Sequence, residues 1–136
     1  DWGADVIVGT HPHVLQDAQW LTASDGRQSF AAYSLGNFIS TQNSPDQLVG
    51  AILTLQLQTT TDPDGTIHTA VLEPQLHPTV THYDAGKSNV RTYLFRDYTQ
   101  ELAHSHGVRG KYSDFSLDMV QKIAQNNISS EFLALS

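Results

Sequence analysis

The chain has 136 residues, with Lys+Arg 7 against Asp+Glu 14, seven histidines, one methionine and no cysteine. That is the length of one domain, enough for a core without a disulfide or metal staple, and zero cysteines exclude a disulfide framework and any thiolate ligand or nucleophile. A formal net charge of -7 without a Lys/Arg cluster excludes a nucleic-acid partner, and the longest apolar runs, residues 30–33 and 49–53, fall far short of the ~20 residues of a membrane helix.

Asp5-Val6-Ile7-Val8-Gly9 reads as a short buried strand entering a loop, Thr10-His11-Pro12-His13. Residues 19–22 and 28–34 pair as a hairpin across Ser24-Asp25-Gly26, where glycine supplies a positive φ. Gly36-Asn37 interrupts the next apolar run as a tight turn or bulge, and residues 41–47 form a polar loop containing Pro45. Over residues 50–59, Leu53, Leu55 and Leu57 alternate with Thr54, Gln56 and Gln58, the period of a strand with one wet face. Asp62-Pro63-Asp64-Gly65 turns the chain into a return strand over about 66–73, after which Pro74 and Pro78 predict an edge or a loop.

Beyond Asp84 the character turns helical. Asp97 with Gln100 predicts a capping box, and that helix stops near Gly107. Ser113 predicts the N-cap of a second helix, whose stripe is Phe115, Met119, Val120 and Ile123 and whose end is Asn126-Asn127. His68, His77 and His82 read as surface or strand-face residues, and His104 and His106 as favourable charges at a helix C-terminus. Strands first and helices last predict an α+β fold, a mainly antiparallel sheet with C-terminal helices on one face.

His11-Pro12-His13 is the constellation that carries chemistry. In an extended backbone, residues two apart point to the same side, and Pro12 fixes its own φ while favouring extended geometry at His11. Both imidazoles can then meet a shared metal or a metal pair, and neutral imidazole suits Zn, Mn or Fe. Ordinary loop chemistry is the other reading of the same three residues. Catalytic zinc takes three protein ligands plus water, and the spacing does not choose among Asp17, Asp25 and Asn37 for the rest.

The run Gly3-Ala4-Asp5-Val6-Ile7-Val8-Gly9-Thr10-His11-Pro12-His13-Val14-Leu15-Gln16, followed by Tyr33-Ser34-Leu35-Gly36-Asn37-Phe38, resembles the bacterial poly-γ-glutamate capsule synthesis proteins of the CapA type. Those resemble the calcineurin-like metallophosphatases, α/β/β/α sandwiches with a two-metal site. The resemblance implies that His11 and His13 are metal ligands, for two divalent ions (Mn, Zn or Fe) in a complete site. It places Thr10 where the capsule proteins often carry a further His, and Thr10 could there donate to a phosphate or to a group behind the ligands. Asn37, in the Ser34-Leu35-Gly36-Asn37-Phe38 signature, either hydrogen-bonds a ligand or contacts substrate, or only forms a tight turn with Gly36. The superfamily's Asp-x-His, Gly-Asp and Gly-Asn-His or Gly-Asn-Glu motifs are not present in order, so the catalytic residues are not identified. The chain is therefore expected to be the C-terminal portion of a CapA-like domain, binding metal weakly or not at all by itself.

The expected partners are the N-terminal part of the same protein, other capsule synthesis and export proteins and an anionic polymer, with self-association through an exposed edge. The expected location is extracellular or at the cell surface, anchored through a region outside this chain. The rival expectation is a non-catalytic, β-rich cell-surface binding or scaffold module.

Overall fold

The computed structural model describes residues 3–136, which form an α+β fold of two three-stranded sheets. The first holds β1 (Val6–Val8), β2 (Leu15–Thr22) and β3 (Gln28–Leu35) in the order β1-β3-β2. β2 and β3 pair antiparallel from Leu15↔Leu35 to Thr22↔Gln28. At the turn Gly26 takes φ 86 and the Arg27 N–H donates to Asp25 Oδ1 at 3.0 Å. β2 starts four residues before the predicted strand because Leu15 and Ala18 are buried in the core.

β1 pairs parallel with β3 alone. The expectation of a buried strand is thus corrected: Ile7 and Val8 are 47% and 50% exposed, since among the described residues no strand lies on the other side of β1.

The second sheet has the order β4-β5-β6, with β4 at Val49–Thr61, β5 at Ile67–Asp84 and β6 at Ser88–Leu94. The predicted 62–65 turn closes with Gly65 N–H donating to the Asp62 carbonyl at 2.9 Å and Gly65 at φ 87. β5, however, runs straight through Pro74 and Pro78 and becomes the central strand, which corrects the predicted stop. Backbone polar groups alternate sides along a strand, and Leu76 turns its N–H and C=O away from β4, to Phe132 (2.7 Å) and Ala134 (3.0 Å). Pro74 and Pro78 share that parity, and β6 begins pairing only at Thr79, so neither proline withholds a donor from a neighbouring strand.

β6 is a second correction, a strand where the sequence reads as turning helical. Gly86, Lys87 and Asn89, at φ 73, 60 and 52, reverse the chain and return it antiparallel to β5. The short helix α1 (Pro45–Leu48) begins inside the predicted polar loop 41–47, ends one residue past it and buries Leu48 fully. α2 (Gln100–Ser105) is capped by Thr99 rather than Asp97, and α3 (Leu117–Asn127) by Ser116 rather than Ser113, each hydroxyl accepting from the N–H three residues on. Among the described residues α3 ends at the expected asparagines.

Phe30 sits at 0% exposure between the rings of Trp20 (5.3 Å) and Phe132 (5.2 Å), edge to face, and so joins the first sheet to the C-terminal segment. Asp17 secures that segment by accepting from Ser129 N–H at 2.8 Å and from the Ser129 hydroxyl. Removing both bonds in Asp17→Ala is expected to cost about 1–2 kcal/mol, the range of a lost cap, read as a lower denaturation midpoint at unchanged slope.

Two histidines also depart from expectation. His82 and His106 are 4% and 2% exposed, where a strand-face position and a helix-end charge were predicted. They lie in the core because β5 and the 3-10 turn Gly107–Gly110 pack together there. His106 caps that turn by accepting from Val108 N–H at 2.9 Å, while His82 Nδ1 meets the Tyr98 hydroxyl at 2.9 Å.

Candidate functional site

Thr10, His11 and His13 lie between β1 and β2. The backbone here is not extended. His13 N–H donates to the Thr10 carbonyl at 3.1 Å, closing a turn, and His13 takes φ 60. This corrects the geometric premise for the His pair while still leaving the rings neighbours, with centroids 6.5 Å apart and planes tilted by 38°. A ligating nitrogen lies ~2.1 Å from its metal, so each ring centroid lies about 3 Å from it. A separation of 6.5 Å then stretches two rings to the limit for a single shared ion. It suits one ring on each of two ions ~3.5–4 Å apart.

A non-glycine residue at positive φ costs on the order of 1 kcal/mol and needs support. Asn37 supplies it. Its Oδ1 lies 2.8 Å from His13 Nδ1, and its Nδ2 donates to the His13 carbonyl at 3.2 Å. The same Nδ2 faces Gln42 Oε1 at 2.9 Å and the Gln47 carbonyl at 3.0 Å. Three acceptors around one NH2 fix which end of the amide is oxygen. Asn37 Oδ1 therefore faces His13, so Nδ1 is the nitrogen that donates and Nε2 is the one left free for a ligand. That is the arrangement by which metal-binding histidines are oriented, the second ring nitrogen donating to a fixed oxygen.

The loop that carries Asn37 is held by the second sheet. The Phe38 carbonyl accepts from the Thr81 and Thr92 hydroxyls, Thr41 from Lys87 Nζ at 2.6 Å, and Gln42 from the Tyr83 hydroxyl at 3.2 Å. Gly36 turns the chain at φ 64, in a place where a Cβ would meet the Val49 carbonyl at 2.9 Å, so Gly36 serves the backbone alone.

Of the residues singled out by sequence, His11, His13 and Asn37 come together, and Thr10 joins them through its main-chain carbonyl. Asp17 is bound to Ser129 and Asp25 to the Arg27 N–H, so neither stands with the His pair. Among the described residues no group of three or more His, Cys, Asp or Glu is assembled. Sequence reasoning missed Gln42 and Gln47. They lie in a polar loop five and ten residues beyond Asn37, without a periodic or motif signal.

Fold and site define an α+β chain with two imidazoles on a turn at the end of one sheet, one of them oriented by an asparagine from the crossover to the other. Residues 1–42 match the family model for the bacterial capsule synthesis protein PGA_cap, a stretch that contains Thr10, His11, His13, Asn37 and Gln42. Over those residues the chain is similar to bacterial capsule synthesis proteins. No curated protein matches it, and no solved structure does.

Proposed function

We propose that this chain works in bacterial capsule synthesis as part of a metal-dependent hydrolase, with His11 and His13 as ligands of divalent ions. The observation that carries this reading is the Asn37 amide, locked by three acceptors so that His13 presents a bare Nε2. A divalent metal pair, when bound, polarises a phosphoester or amide and yields hydroxide near neutral pH. His13 is held by Asn37 with its turn already closed, so little ordering is left for binding. Thr10 fixes the same turn through its carbonyl and can turn its exposed hydroxyl to a substrate oxygen. The remaining ligands come from a part of the protein outside residues 1–136, which also covers Ile7 and Val8. The site works outside the cell or at its surface, where an anionic capsule polymer meets the metals rather than the negative protein surface.

Calorimetric titration of Mn and Zn into the 136-residue chain tests this. The chain is expected to bind weakly and to show no phosphatase turnover, and binding is expected to vanish in the His11→Ala, His13→Ala double variant. Asn37→Leu is expected to lower affinity about 10–100-fold while both rings remain. Equal affinity in the parent and the double variant overturns the metal role and favours a scaffold module. Turnover that survives the double substitution overturns it as well.

A further inference from the structure

We propose that a groove centred on Trp20, distinct from the His11–His13 turn, binds an uncharged polysaccharide. Trp20 lies on β2 and is 36% exposed, although its ring packs edge to face with Phe30 at 5.3 Å. Two open clefts, of about 700 and about 630 Å³, both have Trp20 in their walls. Each falls in the range of ligand sites, ~300–1,000 Å³, and a linear chain crossing the indole would occupy both.

The chemistry of the walls selects the ligand. On one side of the indole stand Gln56, Gln75 and Thr54, whose hydroxyl meets His77 Nε2 at 2.9 Å, and on the other Thr69 and Gln28, whose Oε1 accepts from the Thr22 hydroxyl at 3.2 Å; each keeps further donor or acceptor capacity for sugar hydroxyls. A partly exposed indole between two polar rims fits a pyranose ring, whose C–H face is apolar and whose edge is hydroxylated. Charge excludes a polyanion. Glu73 and Glu131 line the first cleft. Arg27, the one cation among the described lining residues, is already engaged with the Ala4 carbonyl at 3.0 Å and Asp5 at 3.4 Å. Glu73 accepts from Gln56 Nε2 at 2.7 Å, which sets a carboxylate and an amide side by side for neighbouring hydroxyls.

Titrating the isotope-labelled chain with cellohexaose, maltohexaose and chitohexaose, followed by NMR, tests the groove. The Trp20 indole resonance is distinguished from that of Trp2 by a Trp20→Phe variant. At least one hexasaccharide is expected to shift the indole saturably at millimolar concentration, together with the side-chain amides of Gln56 and Gln75. Trp20→Ala is expected to abolish binding. Because Trp20 also packs on Phe30, the exposed pair Gln56→Ala, Gln75→Ala is the variant that leaves the core intact, and it is expected to bind about tenfold more weakly. Several outcomes overturn the proposal: no shift with any of the three sugars, shifts clustered away from Trp20, unchanged affinity in the glutamine pair, or poly-γ-glutamate moving the same resonances.

Discussion

Replacing Gly50 by alanine is expected to destabilise the chain by about 3 kcal/mol or more and, in the same step, to release His13 from Asn37. Gly50 is the second residue of β4, opposite Thr79 of β5. A Cβ there would lie 2.2 Å from the Asn37 carbonyl oxygen, 3.0 Å from its carbon and 3.1 Å from the Leu35 oxygen. All three atoms are backbone, so no side chain can swing aside, and relief comes only by moving the end of β3 away from the start of β4. Asn37 moves with it. The result expected is a melting temperature lower by roughly 10 °C and loss of the Nδ1-protonated form of His13, read from imidazole nitrogen shifts. Gly110→Ala is the control, because that position has open space and an ordinary φ, and it is expected to change stability by no more than about 0.5 kcal/mol. A Gly50→Ala protein as stable as the parent would mean that the two sheets do not approach main chain to main chain at Asn37.

This coupling explains why the site is only partly legible in the sequence. The β2–β3 hairpin, the 62–65 turn and the existence of α3 follow from local rules: Asp25-Gly26 and Asp62-Pro63-Asp64-Gly65 set their own dihedrals, and Met119, Val120 and Ile123 keep a helical period, although Phe115, read as the first of that stripe, precedes the Ser116 cap. β6 was not legible because its reversal needs positive φ at residues 86, 87 and 89 together; Gly86 and Asn89 tolerate that conformation, but Lys87 does not announce it. Pro74 and Pro78 read as breakers of β5 in sequence, whereas their harmlessness depends on which side of β5 is free, a tertiary fact. At the site, His11-Pro12-His13 and Asn37 were visible as residue types. The turn at His13 was not, because it is stabilised by Asn37 from 24 residues away and by Gln42 and Gln47 beyond it.

The buried histidine pair predicts acid sensitivity of a definite sign. His106 donates from Nε2 to the Thr81 carbonyl at 2.9 Å and accepts on Nδ1 from Val108 N–H at 2.9 Å, with the rings of Tyr83, His82 and Phe115 at 4.5, 4.8 and 4.9 Å. Protonation would set a donor on Nδ1 against the Val108 N–H. Burial, with His82 adding to it, pushes His106 down to about 4 against an ordinary 6.5, even though the Thr81 carbonyl and Asp84 favour the charged ring. Burial also lowers His82, which is partly restored by the Asp84 carboxylate 3.6 Å away and lowered further by Arg91. The unfolded chain therefore binds more protons than the native one between pH 6.5 and about 4. This contribution is fully present above pH 6.5 and is lost as pH falls through that window. For His106 the loss is about 3 kcal/mol.

Urea midpoints measured from neutral pH down to about pH 4 are expected to fall along that interval. His106→Gln keeps one donor and one acceptor for Thr81 and Val108 but does not titrate, so it is expected to flatten the decline by the slope of one proton. Carboxylates that charge in the same range contribute equally in both proteins and cancel in the difference. An unchanged slope in His106→Gln would mean that the acid limit of the fold is set by other groups. A flattened slope would place it at the packing of β5 against the Gly107–Gly110 turn. Tyr83 lies in that packing, and its hydroxyl holds the Gln42 carbonyl, so loosening it by acid would also loosen the loop that fixes Asn37.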